Sequence, residues 1–416
     1  MSTFKRYQFF LLLLFVLASY WSGAQPTAKA ALQDLRVDVV YLASDLLEGR
    51  ETGTEGEKLA AEYIATRMER IGLQPRGSNG SWYQSFDFRY NPNPHATTGG
   101  EDRTGKNVIG YLDNGAATTV VIGAHYDHLG YGAFSSLSPN DKTIHNGADD
   151  NASGVAALLY IAQYLKTSGK AKANNYLFIA FSGEELGLVG SKAFVNNPTI
   201  DLKTVNYMLN MDMVGRLNAE KVLSINGVGT SPWWTDTLNK IKVAGIKIVT
   251  TESGIGASDH TSFYLADLPA LHFFSGAHSE YHKPEDDAHL INYQGLMEVS
   301  QYIVALIETL DSRGKLPFAK TADTNEGRRA TSFKVSLGVL PDYVHTGEGM
   351  RIDGALDGRA GAKAGLEKGD IILQMGDHPV KDVYGYMEGL SKFNAGDKAI
   401  IKVKRGDKMV ELEVVF

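Results

Sequence analysis

One stretch limits what this chain can fold into. Thr118-Thr-Val-Val-Ile122 is a β-branched, apolar run that reads as a buried strand. Immediately after it the apolar character gives way to Gly-Ala-His125-Tyr-Asp127-His128. Polar side chains at the carboxyl end of a buried strand are where an α/β fold places its chemistry. His125 offers one ring nitrogen to a metal, and Asp127, two residues on, is placed to hold the other.

Four later segments supply matching groups: His145-Asn-Gly-Ala-Asp-Asp-Asn-Ala-Ser-Gly154, Phe181-Ser-Gly-Glu-Glu185, Leu209-Asn-Met-Asp212 and Tyr281-His-Lys-Pro284. The chain has no cysteine, so thiolate sites and disulfides are excluded and any metal must be held by His, Asp and Glu. The candidates are His125, Asp149, Asp150, Glu184, Glu185, Asp212 and His282. Each sits at the end of an expected strand or in a loop beside one. Parallel strands would bring those ends to one rim, and the convergence carries more weight than any single residue. A close pair of divalent ions needs several carboxylates, and imidazoles suit zinc, manganese or cobalt better than magnesium or calcium. Adjacent Glu184 and Glu185 point in different directions, so one can ligate while the other takes a proton from a bound water. The constellation is that of a hydrolase. No Gly-x-Ser-x-Gly elbow, Gly-rich phosphate loop ending in Lys-Ser or Lys-Thr, or His-Glu-x-x-His segment is present.

The 416 residues carry a formal charge of -7, which disfavours a nucleic-acid surface. Lys5 and Arg6 precede the apolar run Phe9 to Ala18, and Ser22-Gly-Ala24 follows. That is the layout of a secretory signal peptide over residues 1–24, with a periplasmic or secreted product. An uncleaved anchor is the lesser alternative. No later stretch is long and apolar enough to span a bilayer, so no stable membrane span is expected after cleavage.

Helical periodicity is expected over Leu35–Leu47, Glu55–Ile71, Ser153–Leu165, Leu186–Phe194, Trp233–Val243 and Tyr293–Thr309. Strands are expected at Trp82–Phe88, Asn107–Tyr111, Tyr176–Phe181, Val205–Met211, Val222–Asn226, Ile246–Val249 and Leu268–Phe274, with Asn91–Arg103 a loop. The alternation predicts an α/β fold: a mixed, largely parallel sheet covered by helices on both faces, within residues 25–319. Residues 320–330 read as a linker. Residues 331–416 read as a small β-rich domain with strands at Phe333–Val339, Met350–Ile352, Asp370–Gln374, Lys398–Val403 and Met409–Val415.

The blocks Gly-Ala-His-x-Asp, Gly-Ala-Asp-Asp-x-Ala-Ser-Gly, Gly-Glu-Glu, Asn-Met-Asp and Tyr-His-x-Pro-x-Asp, in this order, resemble the M28 family of metallopeptidases. Tyr41-Leu-Ala-Ser-Asp45, Leu47-Glu-Gly-Arg50 and Gly53-Thr-x-Gly56 resemble the family's leading segment. The resemblance implies a zinc-aminopeptidase-like fold and two Zn2+ ions per chain. It implies His125 and Asp212 on one zinc, Glu185 and His282 on the other, and Asp149 bridging. It further implies Asp127 orienting His125, a non-proline cis peptide at Asp149-Asp150, Glu184 as general base, Tyr281 as oxyanion donor and Asp259 as outer support. The implied substrate is a peptide or protein with a free N-terminus. Rival readings are a glutaminyl-peptide cyclase on the same fold, a dipeptide-releasing or carboxypeptidase specificity, and a non-catalytic binding scaffold. Val335-Ser-Leu-Gly-Val339 and Gly361-Ala-Lys-Ala-Gly-Leu-Glu-Lys-Gly-Asp370 resemble a PDZ domain, which implies capture of a C-terminal peptide.

Overall fold

The structure, a computed structural model, describes residues 27–91, 100–132, 136–138, 142–321, 335–341, 347–355, 358–381 and 383–416. The expected signal peptide and nearly all of the expected linker lie outside these residues.

Helix α1 (Ala28–Leu42) leads into a 3-10 segment, Asp45–Arg50. Helix α2 (Glu55–Ile71) opens on Thr54, whose hydroxyl accepts the Glu57 amide, and closes on Gly72 in the left-handed region at φ 86°. Strands β1 (Gln74–Pro75), β2 (Tyr83–Tyr90) and β3 (Glu101–Leu112) follow. Then come β4 (Thr119–His125), α3 (Gly154–Ser168), β5 (Asn175–Phe181), α4 (Val189–Asn196) and β6 (Val205–Met211). Strand β7 (Val222–Asn226), α5 (Trp234–Leu238), β8 (Lys247–Thr251), α6 (His260–Tyr264), β9 (Ala270–Phe274) and α7 (Tyr293–Leu310) complete the first part.

Among the described residues these strands form one nine-stranded sheet ordered β1-β3-β5-β4-β6-β9-β7-β8, with β2 paired to β3. The central neighbours β5, β4, β6 and β9 are mutually parallel, so their carboxyl ends lie along one edge. Successive residues of the inner strands face opposite layers. Val120, Ile122, Tyr176 and Phe178 pack under α1, α2, α3 and α7. Val121, Leu177, Ile179 and Phe181 pack with Phe194 of α4 and Phe263 of α6. Full burial on both faces explains why these strands read as continuous apolar runs.

Two departures from the sequence expectation have clear causes. Residues from 101, expected to be loop, extend β3, because Glu101–Val108 pairs antiparallel with all of β2. The helix expected from Leu186 begins at Val189, because Glu184–Leu188 is a turn in which the Glu184 carbonyl accepts the Gly187 and Leu188 amides. That turn matters below, since it presents Glu184 and Glu185.

Residues 339–415 build a second sheet, β10 (Val339–Pro341), β11 (Met350–Ala355), β12 (Ile371–Met375), β14 (Lys398–Arg405) and β15 (Lys408–Val415) in that order, with β13 (His378–Pro379) on β12. Helices α8 (Ala360–Lys363) and α9 (Val383–Leu390) accompany it. Leu337, Ile352, Ile372, Ile401 and Val403 form its own core. No helix among the described residues is long and apolar enough to cross a membrane.

Candidate metal centre

The four parallel strands deliver their polar ends to one place. His125 is the last residue of β4, and Asp212 directly follows β6. Glu184 and Glu185 follow β5 through Ser182 and Gly183, the latter at φ 72°. His282 comes from the loop after β9. Asp150 comes from a π-type turn, Ala148–Ser153, that opens α3.

Their side chains meet. His125 Nε2 lies 3.3 Å from Asp212 Oδ1, 3.3 Å from Asp150 Oδ1 and 4.0 Å from Glu184 Oε2. His282 Nε2 lies 3.1 Å from Asp150 Oδ2 and 3.2 Å from Glu185 Oε2. Asp150 thus turns one oxygen toward each group. His128 Nδ1 is 2.9 Å from Glu185 Oε1. Two trios of ligand atoms result, His125-Asp150-Asp212 and His128-Asp150-Glu185, sharing Asp150.

The sequence expectation of Asp149 as the shared acid is corrected here. Asp149 Oδ1 accepts the Gly215 amide at 2.7 Å, and its Oδ2 lies 3.3 Å from His278 Nε2. Asp286 accepts the amides of both Asp149 and Asp150 at 3.0–3.1 Å and so fixes which carboxylate faces which way. The cis peptide is likewise one residue further on, between Asp150 and Asn151. His128, which is not among the candidate ligands read from the sequence, stands inside the second trio. Its spacing from His125 was the one available signal.

Asp127 works differently from expectation. The nearest acceptor for His125 Nδ1 is the main-chain carbonyl of Asp127 at 3.2 Å, with the carboxylate at 3.6 Å. The Asp127 carboxylate instead accepts the amides of Glu184 (3.2 Å) and Glu185 (3.4 Å) and the Thr52 hydroxyl (3.0 Å). It therefore shapes the turn that presents the two glutamates. The His125 contact leaves Nε2 facing the acids, the arrangement a ligating imidazole requires. Tyr281 stacks on His282 with ring centroids 3.9 Å apart, at the wall of a cavity shared with Met213, Asn226, His272 and Phe274. Asp259, wholly buried beneath the site, is pushed up to about 7 by burial and by Asp127 and Asp212, against the pull of His125.

The electrostatics describe a place for cations. Asp150, Glu184, Glu185 and Asp212 have no ion pair with lysine or arginine among the described residues; their partners are imidazoles. Burial pushes Glu184 well above the usual carboxylate range, and the neighbouring Asp212 and Glu185 add to it, against His125. Burial acts the same way on Glu185, but the His282 charge and the His128 and His282 contacts outweigh it and hold that carboxyl at about 2. Burial opposes protonation of His125 and His282, yet the acids around them carry both imidazoles well above their ordinary value. A tetrahedral zinc with bonds of about 2.0–2.2 Å holds its ligand atoms about 3.3–3.6 Å apart. The His125 contacts to Asp150 and Asp212 match that spacing. The donor set fits two borderline divalent ions sharing a carboxylate.

Comparison with known proteins agrees with this geometry. Residues 107–307 match the model of peptidase family M28, and residues 356–415 match that of a PDZ domain. Aminopeptidase YwaD of Bacillus subtilis is 29% identical over 209 residues, covering 48% of this chain and 42% of that protein. The chain thus spans less than half the length of this curated relative. Among solved structures, a Zn-dependent exopeptidase from Parabacteroides distasonis superposes with a TM-score of 0.54 at 20% identity, over 68% of this chain and 99% of that one. A glutaminyl cyclase from Bacteroides thetaiotaomicron gives 0.51 at 19%, over 69% and 99%. At these identities the structural likeness establishes the fold.

Proposed function

Because the chain carries an M28-family peptidase domain followed by a PDZ domain, we propose that it is a co-catalytic dizinc aminopeptidase releasing N-terminal residues from peptides. The observation that carries this reading is Asp150, whose two oxygens face two separate sets of ligand atoms. His125 and Asp212 would hold one zinc, and Glu185 with His282 the other, with His128 beside them. When bound, the two ions would acidify a water and polarise the scissile carbonyl.

The chain's own residues supply the rest. Glu184 Oε2 stands 4.0 Å from His125 Nε2, against 3.3 Å for Asp150 and Asp212, so its carboxylate is left to accept the water proton and return it to the leaving amine. Burial among acids favours its protonated form, which suits a group that must carry a proton between steps. The Tyr281 hydroxyl, on the cavity wall, would donate to the developing oxyanion. Glu184 and Asp212 line the same cavity and attract a substrate α-ammonium, whereas no lysine or arginine lines it among the described residues. A carboxypeptidase would need such a cation for its substrate's terminal carboxylate, so the acidic wall favours N-terminal over C-terminal trimming.

The test is product identity. Incubated with zinc and a mixed peptide set, the protein is expected to shorten free-amine peptides one residue at a time and to leave N-acetylated ones intact. Loss of dipeptides would change the specificity, and ammonia loss from Gln-initiated peptides would move the assignment to a cyclase. The PDZ domain would add an extended C-terminal peptide to the sheet edge at β10. Equal binding of free-acid and C-terminally amidated peptides would contradict that. The basic and apolar pattern at Lys5, Arg6 and Phe9–Ala18 supports export to the periplasm or beyond. Detection of the protein only in the cytoplasmic fraction would contradict that assignment.

A further inference from the structure

A single buried cation ties the metal-centre loops together. Arg50 is 1% exposed and does not line the substrate cavity. No carboxylate among the described residues forms an ion pair with it; its guanidinium is spent on main-chain carbonyls. Nε donates to Tyr126 O at 2.7 Å, Nη1 to Asn146 O at 2.6 Å and to Leu42 O, and Nη2 to Gly147 O at 3.0 Å. Four of its five donors are thereby used. Tyr126 lies between His125 and Asp127. Asn146 and Gly147 lead directly into the turn that carries Asp150. Leu42 ends α1.

The main chain reinforces the clamp. The Arg50 carbonyl accepts the His128 amide at 3.2 Å, and the Gly49 carbonyl accepts the Gly130 amide at 3.0 Å. Gly49 sits at φ 68°, and a Cβ there would lie 2.5 Å from Gly130 O and 2.6 Å from His145 O. The turn is therefore wedged between the 126–130 and 145–147 segments with no room to spare. Thr52, two residues on, holds Asp127. A planar fork fixes the directions of several acceptors at once, which a lysine ammonium cannot do.

We propose that Arg50 is a positioning residue of the metal centre, locking the loop that bears His125 and Asp127 to the loop that bears Asp150 and so setting the separation of the two ligand groups. The inference rests on the two-metal reading of the site. It acts through the ligands, since Arg50 does not line the cavity and donates only to main-chain carbonyls.

The test uses the full chain. Arg50→Lys keeps the charge and loses the fork. It is expected to weaken zinc binding, measured by chelator competition, by about 10–100-fold, the range seen when groups supporting metal ligands are removed. At saturating zinc, kcat should fall with little change in KM. Arg50→Ala should recover part of its zinc affinity with millimolar methylguanidinium. Asp38→Asn is the control, because it breaks the Asp38–Arg67 pair (2.6 and 2.9 Å) away from the site. It should lower thermal stability without changing zinc affinity. Hydrogen exchange on the unaltered protein needs no variant to fold: zinc loading must slow exchange over residues 47–53 along with 125–130 and 145–150, because coupling is reciprocal. Unchanged zinc affinity and kcat in Arg50→Lys, or zinc protection that leaves 47–53 untouched, would overturn the role. If the unaltered protein takes up no zinc, the two-metal reading falls and this inference falls with it.

Discussion

Glu184 has two properties that a proton carrier needs: it stands 4.0 Å from His125, further than Asp150 and Asp212 at 3.3 Å, and burial favours its neutral form. Glu184→Gln is expected to lower kcat by about 10²–10⁴-fold while leaving zinc content unchanged, read by steady-state kinetics and metal analysis on one preparation. Loss of zinc in that variant would instead make Glu184 a ligand. The imidazoles give a second expectation. The raised values of His125 and His282 mean that both hold protons near neutrality in the metal-free protein. The sign follows directly. Their pairing with acids stabilises the metal-free fold fully below about pH 6.5 and is lost as pH rises through the raised values. Zinc must displace those protons, so its apparent affinity should rise with pH, and the calorimetric binding enthalpy should vary with the ionisation enthalpy of the buffer. A buffer-independent enthalpy would contradict the protonated imidazoles.

At the scale of elements, the segment from Arg50 to Glu57 underlies the site. Glu57 accepts three donors: the Gly53 amide (2.9 Å), the Lys106 amide (3.0 Å) and the Ser182 hydroxyl (2.6 Å); the Tyr126 hydroxyl lies 3.1 Å away and donates to the Lys106 carbonyl at 2.6 Å. It thereby joins the start of α2 to β3 and to the residue after β5. An acceptor-only carboxylate meets these three donors with both of its oxygens, and an amide offers only one acceptor oxygen. Glu57→Gln should leave one donor unsatisfied and cost about 1–3 kcal/mol, read as a fall in the thermal midpoint. An unchanged midpoint would show that the site tolerates the amide.

This segment also marks where sequence reading stopped. The strands carrying His125, Glu184, Glu185 and Asp212 were legible because burial on both faces writes itself as unbroken apolar runs. The roles of Arg50, Thr52 and Glu57 were not legible. Their partners are main-chain groups and side chains tens of residues away, which leave no periodic trace. Asp149 and Asp150 were indistinguishable for a related reason. Which carboxylate faces the site depends on a local backbone path that Asp286, more than 130 residues on, helps to fix.

At the scale of the molecule, one large sheet brings together groups that are up to 157 residues apart in sequence, and a second small sheet with its own core follows it. Asp150, not Asp149, is the carboxylate shared by the two ligand groups at the carboxyl edge of the large sheet, and so is the one placed to join two metal ions. The most direct measurement is a crystal structure of the zinc-loaded protein with data collected at the zinc edge. Two anomalous peaks about 3.5–4 Å apart, one beside each oxygen of Asp150, are expected. A single peak, or a pair flanking Asp149 with Asp150 turned away, would contradict the account.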